Sequence, residues 1–279
     1  MKILVTGATG IIGRSIIEHL LHTDHEIVAT STGTQEFSFP QTRKLTFIPC
    51  NLNEDRNDHA ELFGKPDALI DTAWEKVPVH KDPAHIERCV FAHYRLVKNL
   101  TSAGTKNITM MGTSHEYGML SGCLCETMYA EPLTGYAIAK HSLRLFIMEL
   151  EKQNDFTLKW IRQFHTYGKG HKDSILGKLD AALERGETVF PMSGGEQLRD
   201  FMPVEIAVAN IVKISLQTKY RGIVNNCSGK PISVRRFVEE YLASTGKKIE
   251  IQLGHYPYPQ FEPMAFWGDA TKLTQIIAE

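Results

Sequence analysis

Between Asn107 and Lys140 the 279-residue chain carries a hydroxyl, a phenol and an ammonium whose types and spacing suit proton exchange. Tyr136-Ala-Ile-Ala-Lys140 opens a predicted helix, and residues four apart on a helix share a face, so phenol and ammonium point the same way. A phenol has a pKa of about 10, too high for easy exchange at neutral pH. A nearby ammonium favours phenolate, and the amino end of a helix adds to this. At an effective dielectric of about 20, a charge ~5 Å away contributes about 3 kcal/mol, roughly two pKa units before solvent screening. Tyr136 is thereby brought towards the range useful for general acid–base chemistry. The hydroxyl is Thr113, at the end of the apolar run Asn107-Ile-Thr-Met-Met-Gly-Thr113, which reads as a buried strand followed by a loop.

Tyr-x-x-x-Lys is a common pattern, and Tyr94-Arg-Leu-Val-Lys98 is a second copy. Tyr94 lies some ten residues into a helix that Asp82-Pro83 starts, and at ~1.5 Å per residue that is roughly 15 Å from the strand ends. Ligands of open α/β sheets bind where strands end and helices begin. Tyr94 is therefore a packing residue and Tyr136 the chemical one.

The elements that must position these groups start at Lys2. Lys2-Ile-Leu-Val-Thr6 is an apolar run of the kind a buried parallel strand shows, and a helix follows from about Ile11 to Leu21. Between them stands Gly7-Ala-Thr9-Gly10-Ile11-Ile12-Gly13, with Arg14 next. Glycines at a strand-to-helix turn let the backbone approach a pyrophosphate, whose charge the helix amino terminus favours. Further strands are expected at Glu26–Thr30, Lys44–Cys50 and Ala68–Ala73, with helices from about Pro83 to Ala103 and from Tyr136 to about Glu151. Alternating strands and helices of this kind imply an α/β fold.

Composition agrees. A hydrophobic content of 42% supports a proper core, and a formal net charge of -1 points to neither nucleic acid nor an anionic membrane. No run approaches the ~18 apolar residues needed to span a bilayer. Met1-Lys2 leads straight into a strand and leaves no room for a signal peptide, so a cytoplasmic protein is expected. Cys50, Cys89, Cys123, Cys125 and Cys227 are scattered, and no His/Cys pair has metal-ligand spacing, so free thiols and no metal are expected.

The Thr-Gly-x-x-Gly-x-x-Gly turn at Thr6–Gly13, paired with Tyr136-x-x-x-Lys140, resembles the short-chain dehydrogenase/reductase superfamily. Later segments narrow the resemblance to its extended branch, whose members mostly act on nucleotide-linked sugars. Trp160-Ile-Arg162-Gln-Phe164-His165-Thr-Tyr167-Gly168 resembles that branch's Arg-Pro-Phe-Asn-x-Tyr-Gly segment, and Arg199-Asp200-Phe201-Met-Pro-Val204 its Arg-Asp-Phe-x-x-Val segment. Gly222–Gly229 and Trp267-Gly268-Asp269 also find counterparts, so the resemblance spans nearly the whole chain.

The resemblance implies a Rossmann-type doubly wound parallel sheet with a smaller, interleaved C-terminal substrate domain. The dinucleotide-binding part would be 1–168 plus about 201–222, and the substrate part about 169–200 plus 223–279. Thr113, Tyr136 and Lys140 are the implied catalytic set: Thr113 orients a carbonyl, and Tyr136 and Lys140 also touch the cofactor. The expected cofactor contacts are Gly7, Thr9, Gly10, Ile11, Ile12, Gly13, Arg14, Ser31, Asn51, Leu52, Ala73 and Trp74. Trp74 could stack on the ligand or close the pocket floor. Thr30-Ser31-Thr32-Gly33 lacks the carboxylate that binds ribose hydroxyls in NAD-selective proteins, and Arg14 could pair with a 2′-phosphate, so NADP is favoured over NAD. Substrate contacts are expected from Thr113, Ser114, His115, His165 and Arg199, the last on the substrate's pyrophosphate. His93 stands where relatives often have Asn. The aromatic stretch Tyr256–Trp267 could wall a sugar pocket or be a packed, proline-stiffened loop.

Dehydratases of this branch follow the catalytic Thr with Asp-Glu or Ser-Glu, whereas Ser114-His115 stands here and Glu116 comes one place late. The expected activity is reduction of a nucleotide-linked 4-keto-6-deoxyhexose. An epimerase with transient oxidation by tightly held NAD is the alternative, and a non-catalytic dinucleotide-binding regulator a lesser one. The two long helices build a dimer interface in the family, so a homodimer is expected.

Overall fold

In a computed structural model of the protein the described residues are 1–39, 42–77 and 79–278. The first half runs β1 (Lys2–Thr6), α1 (Ile11–Leu20), β2 (Glu26–Thr30), β3 (Leu45–Phe47), α2 (His59–Leu62), β4 (Ala68–Asp71), α3 (Val90–Ser102) and β5 (Asn107–Thr113). A π-helical turn, His85–Cys89, leads into α3, and a 3-10 turn, Ser114–Tyr117, follows β5. Then come β6 (Gly122–Leu124), α4 (Gly135–Gln153), β7 (Thr157–Gln163), β8 (His165–Tyr167), α5 (Ile175–Glu184), β9 (Val189–Pro191) and β10 (Leu198–Pro203). The last elements are α6 (Val204–Leu216), β11 (Gly222–Asn226), β12 (Pro231–Ser233), α7 (Val234–Thr245), β13 (Glu250–Gln252), β14 (Phe266–Gly268) and α8 (Thr271–Ala278).

Seven strands form one parallel sheet in the order β11-β7-β5-β4-β1-β2-β3. Successive strand side chains point to opposite faces, and β1 shows the consequence. Leu4 joins an apolar layer with Leu96, Leu100, Leu143 and Ile147 of α3 and α4. Ile3 and Val5 join the other, with Ile16 and Ile17 of α1, Ile211 of α6 and Ile276 of α8. Helices thus cover both faces, the doubly wound arrangement expected from the sequence. Strand order reverses at β1, which lies between β4 and β2, so the crevice for a ligand opens at the carboxyl ends of β1 and β4.

The remaining strands make three small sheets, β12-β10-β8, β13-β9 and β14-β6. A separate apolar cluster of Leu176, Leu179, Phe190, Met192 and Val238 holds α5 and α7 together. β11 begins at residue 222, where the expected division of the chain falls, and pairs with β7 at the edge of the main sheet. Leu273 and Ile276 of α8 likewise pack with the main-sheet layer.

One local feature differs from a plain helix beginning near Pro83. The π turn carries His85 inward, where its Nδ1 accepts from Trp74 Nε1 at 3.0 Å and its Nε2 lies 3.0 Å from the Val79 carbonyl. The ring ties the segment after β4 to the start of α3. A π turn re-aims side chains in this way.

Candidate active site

The glycine turn behaves as its spacing requires. Gly7 has φ of 65°, a left-handed conformation that costs an L side chain energy, and a Cβ there would crowd Ala73 and Thr72. A Cβ on Gly13 would overlap the Gly7 carbonyl. α1 starts from Gly10 with no side-chain cap, leaving its first backbone N–H groups to serve an anion. These features fit the diphosphate of a dinucleotide.

A cleft over this turn is lined by Gly7, Thr9, Gly10, Ser31, Asn51, Leu52, Ala73 and Trp74, all expected cofactor contacts. Thr30, Thr72, Asn53 and His93 line it too. Ile11, Ile12, Gly13 and Arg14 are not among the lining side chains. Ile11 and Arg14 face the neighbouring hollow with Lys169 and Gly170, and Gly13 is buried as a spacer beneath Gly7. The Arg14 guanidinium donates to Ser38 Oγ and lies 5.5 Å from the Phe39 ring centroid. Arg14 thus packs against the loop after β2.

A second pocket adjoins α4 and holds Thr113, Ser114, His115, Tyr136 and His165, together with Val77, His80, Gln163 and Phe164. β5 brings Thr113 to its end, where it caps the following 3-10 turn: its Oγ1 accepts from His115 N at 3.3 Å while Glu116 Oε1 accepts from Thr113 N at 3.0 Å. α4 is started by Thr134, whose hydroxyl accepts from Ala137 N, and Tyr136 N donates to the His80 carbonyl at 3.0 Å. Helix start and the segment after β4 are thereby pinned together.

Trp74 links the two cavities. It lines the dinucleotide cleft, meets the Tyr136 ring edge-on at 6.3 Å, and carries the Lys140 ammonium 3.7 Å from its centroid. Trp74 therefore closes the cleft on the side of Tyr136 and Lys140. Lys140 Nζ also donates to the Met111 carbonyl at 2.8 Å. His93, stacked 5.0 Å from Trp74, donates from Nδ1 to Asp71 Oδ2 at 2.5 Å, and Thr6 Oγ1 donates to the other oxygen. A buried Asp71–His93 hydrogen bond thus lies under the cleft, at the position where relatives often have Asn.

The protonation picture corrects one expectation. Burial pushes the Tyr136 phenol above its ordinary value; the Thr113 hydroxyl pulls it down in part, and the Glu116 charge adds to the rise. The ammonium of Lys140 does not soften it, because it is spent on a carbonyl and a ring face. Lys140 is itself brought down to about 8 by burial, against the pull of Asp71. The expectation treated two charges in a uniform medium and left out the loss of water around phenolate. Asp71, despite burial, is held below the usual carboxylate range by His93 and Thr6.

Arg199 is buried at the base of β10 and lies outside the second pocket's lining. It donates to Glu262 Oε2 at 2.8 Å and to the carbonyls of Leu198 and Met264, with Phe266 stacked 4.5 Å beneath it. Phe261 packs 5.5 Å from His80 and 6.4 Å from His115, which places this one residue of the aromatic stretch beside pocket side chains. Tyr94, the other phenol of its pattern, packs edge-on against Phe146 at 6.3 Å, away from both cavities. Glu116, a residue late for the dehydratase position, is wholly buried and accepts from Trp160 Nε1 at 2.8 Å and Arg162 Nε at 3.2 Å. His80, Gln163 and Glu262 were missed by sequence reasoning. Only the aromatic run around Glu262 offered a signal.

The comparisons now decide the family. Residues 3–225 match the model of the NAD dependent epimerase/dehydratase family. The chain belongs to that family. It is an NAD(P)-dependent enzyme of the extended short-chain dehydrogenase/reductase type. A curated family member, dTDP-6-deoxy-L-talose 4-dehydrogenase (NAD(+)) of Aggregatibacter actinomycetemcomitans, is 31% identical over 96% of this chain and 99% of its own length. A UDP-N-acetylglucosamine 4-epimerase from Methanobrevibacter ruminantium, solved with UDP-N-acetylmuramic acid, superposes with a TM-score of 0.88 at 21% identity, over 99% of this chain and 91% of that one. MoeE5, solved with UDP-glucuronic acid and NAD, superposes with a TM-score of 0.85 at 22% identity, over 100% and 93% of the two chains. Among the described residues, no helix is long and apolar enough to cross a membrane.

Proposed function

We propose that this family member reduces the C4 carbonyl of a nucleotide-linked 6-deoxyhexose. One observation carries the reading: Thr113 and Tyr136 share a pocket, and the Tyr136 ring meets Trp74, which lines the dinucleotide cleft and carries Lys140 over its ring. The full-length similarity to a dTDP-6-deoxy-L-talose 4-dehydrogenase supports both the position reduced and a dTDP carrier. A nicotinamide dinucleotide supplies the hydride when bound. Thr113 donates a hydrogen bond to the reacting oxygen, and Tyr136 gives it a proton, so charge does not build up on the alkoxide. Burial makes the phenol a reluctant acid, which suits a donor that must stay protonated until the oxygen becomes basic.

The Ser114-His115 pair, in place of a dehydratase's acidic pair, supports reduction over loss of water. Hydroxyls at Thr30, Ser31 and Thr32, with no carboxylate among them, support NADP over NAD, since nothing there repels a 2′-phosphate. The ratio of kcat/KM for NADPH and NADH tests that preference. Residues 1–168 and 201–222, completed by β11 and α8 past the expected boundary, carry the dinucleotide, and the rest chiefly the sugar. Exposed Phe91, Ile138, Leu145 and Phe146 on α3 and α4 support a homodimer through these helices, checked by light scattering on the purified chain.

The deciding experiment mixes the purified protein with a dTDP-4-keto-6-deoxyhexose and reduced nicotinamide. One equivalent of cofactor consumed per sugar reduced is expected. Tightly retained NAD with no net consumption would assign the protein to the epimerases instead.

A further inference from the structure

We propose that His115, His165 and Glu262 form a binding site for one divalent cation of the zinc class, opening into the pocket that holds Thr113 and Tyr136. The three residues come from distant parts of the chain: the turn after β5, the first position of β8 and the loop before β14. Each offers one donor atom, and the three atoms lie within 4.8 Å of one another. No local spacing in the sequence could have shown this.

The distances suit a shared ion better than direct pairing. His115 Nδ1 stands 3.7 Å from Glu262 Oε1, too far for a hydrogen bond. Metal–ligand bonds of about 2.0–2.2 Å put neighbouring donors of a tetrahedral site roughly 3.4 Å apart. His165 Nδ1 is buried and has no hydrogen-bond partner among the described residues. A buried polar atom left unpaired is costly, and such atoms call for an explanation.

The surroundings favour a cation. Glu262 gives its Oε2 to Arg199 at 2.8 Å, which fixes the carboxylate and leaves Oε1 turned towards His115. Such outer hydrogen bonds orient ligands at metal sites. Two imidazoles and a carboxylate select zinc, cobalt or nickel over magnesium and calcium, which prefer all-oxygen sets. Three protein donors leave a coordination position free. That position faces the pocket, since His115 and His165 both line it.

The site borders the pocket of the proposed reduction, so its test reads metal binding rather than turnover. The full-length protein, stripped with chelator, is titrated with Co2+ while the visible spectrum is recorded. The expected result is one cobalt per chain, with the strong ligand-field bands of low coordination number, displaced by one equivalent of Zn2+. His165→Gln and Glu262→Gln should each weaken cobalt binding by at least about tenfold. Thermal melts of the variants report whether they fold. A featureless cobalt titration of the wild-type chain would overturn the proposal without reference to any variant. So would a folded variant that binds cobalt as tightly as the wild type.

Discussion

Glu116→Gln probes the hidden support of the pocket. Its carboxylate is wholly buried and lies 3.2 Å from Arg162 Nε and 3.7 Å from Arg144 Nε, while Arg162 is 1% exposed and Arg144 7%. At an effective dielectric of about 20, a unit pair at such distances attracts by about 5 kcal/mol. The cost of burying both charges offsets much of that, so the net worth of the pair is small. Removing one member is different, because it strands the other. Breaking a buried pair this way costs about 3–5 kcal/mol. The amide also turns an NH2 group towards guanidinium donors and keeps only one oxygen for Thr113 N and Trp160 Nε1. For a chain of this size, 1 kcal/mol moves the melting temperature by about 2–4 °C, so a fall of roughly 6–12 °C or more is expected. Scanning calorimetry with a matching urea titration gives both numbers. Adding Arg162→Met should recover part of the loss, because the stranded charge goes too. A Glu116→Gln melt within about 2 °C of wild type would refute the argument that this carboxylate neutralises its neighbours.

Replacing Tyr136 with Phe should lower kcat by about 10²–10⁴ with the melt unchanged, while Tyr94→Phe leaves kcat alone; the opposite pattern in steady-state assays would move the site. Gly13→Ala should destabilise the turn by about 1–3 kcal/mol and abolish the rise in melting temperature that added dinucleotide produces. His59 is buried with neither ring nitrogen hydrogen-bonded, and burial lowers its pKa from 6.5 to about 4. The unfolded chain therefore takes up this proton first, and the stability it contributes above pH 6.5 is lost as pH falls towards 4. His59→Leu should remove that loss, worth on the order of 3 kcal/mol, and urea midpoints of the two proteins that run parallel from pH 7 to about 4 would contradict it.

What could be read beforehand was whatever the chain writes locally. The turn at Gly7–Gly13 declares itself because a strand, its glycines and a helix follow within a few residues, and each glycine answers a steric demand. Tyr136 and Lys140 share a helix face, so one period predicts their alignment. Their electrostatics were not legible, because desolvation depends on everything packed around them, and the Met111 carbonyl and Trp74 ring come from β5 and from the segment after β4. The same holds for Glu262, which reaches Arg199 across 63 positions, and for His80, which no periodic pattern marks. The partners of Arg14 were hidden for a related reason: Ser38 and Phe39 lie in a loop whose path the sequence does not prescribe.

Trp74 has an optical consequence. The chain has three tryptophans, and only this one borders the dinucleotide cleft, whereas Trp160 is sealed behind Glu116 and Trp267 sits on β14. Its emission should therefore dim when a nicotinamide ring arrives and accepts excitation from the indole. The protein carries its own fluorescent gauge of cofactor loading, readable without a dye or a turnover.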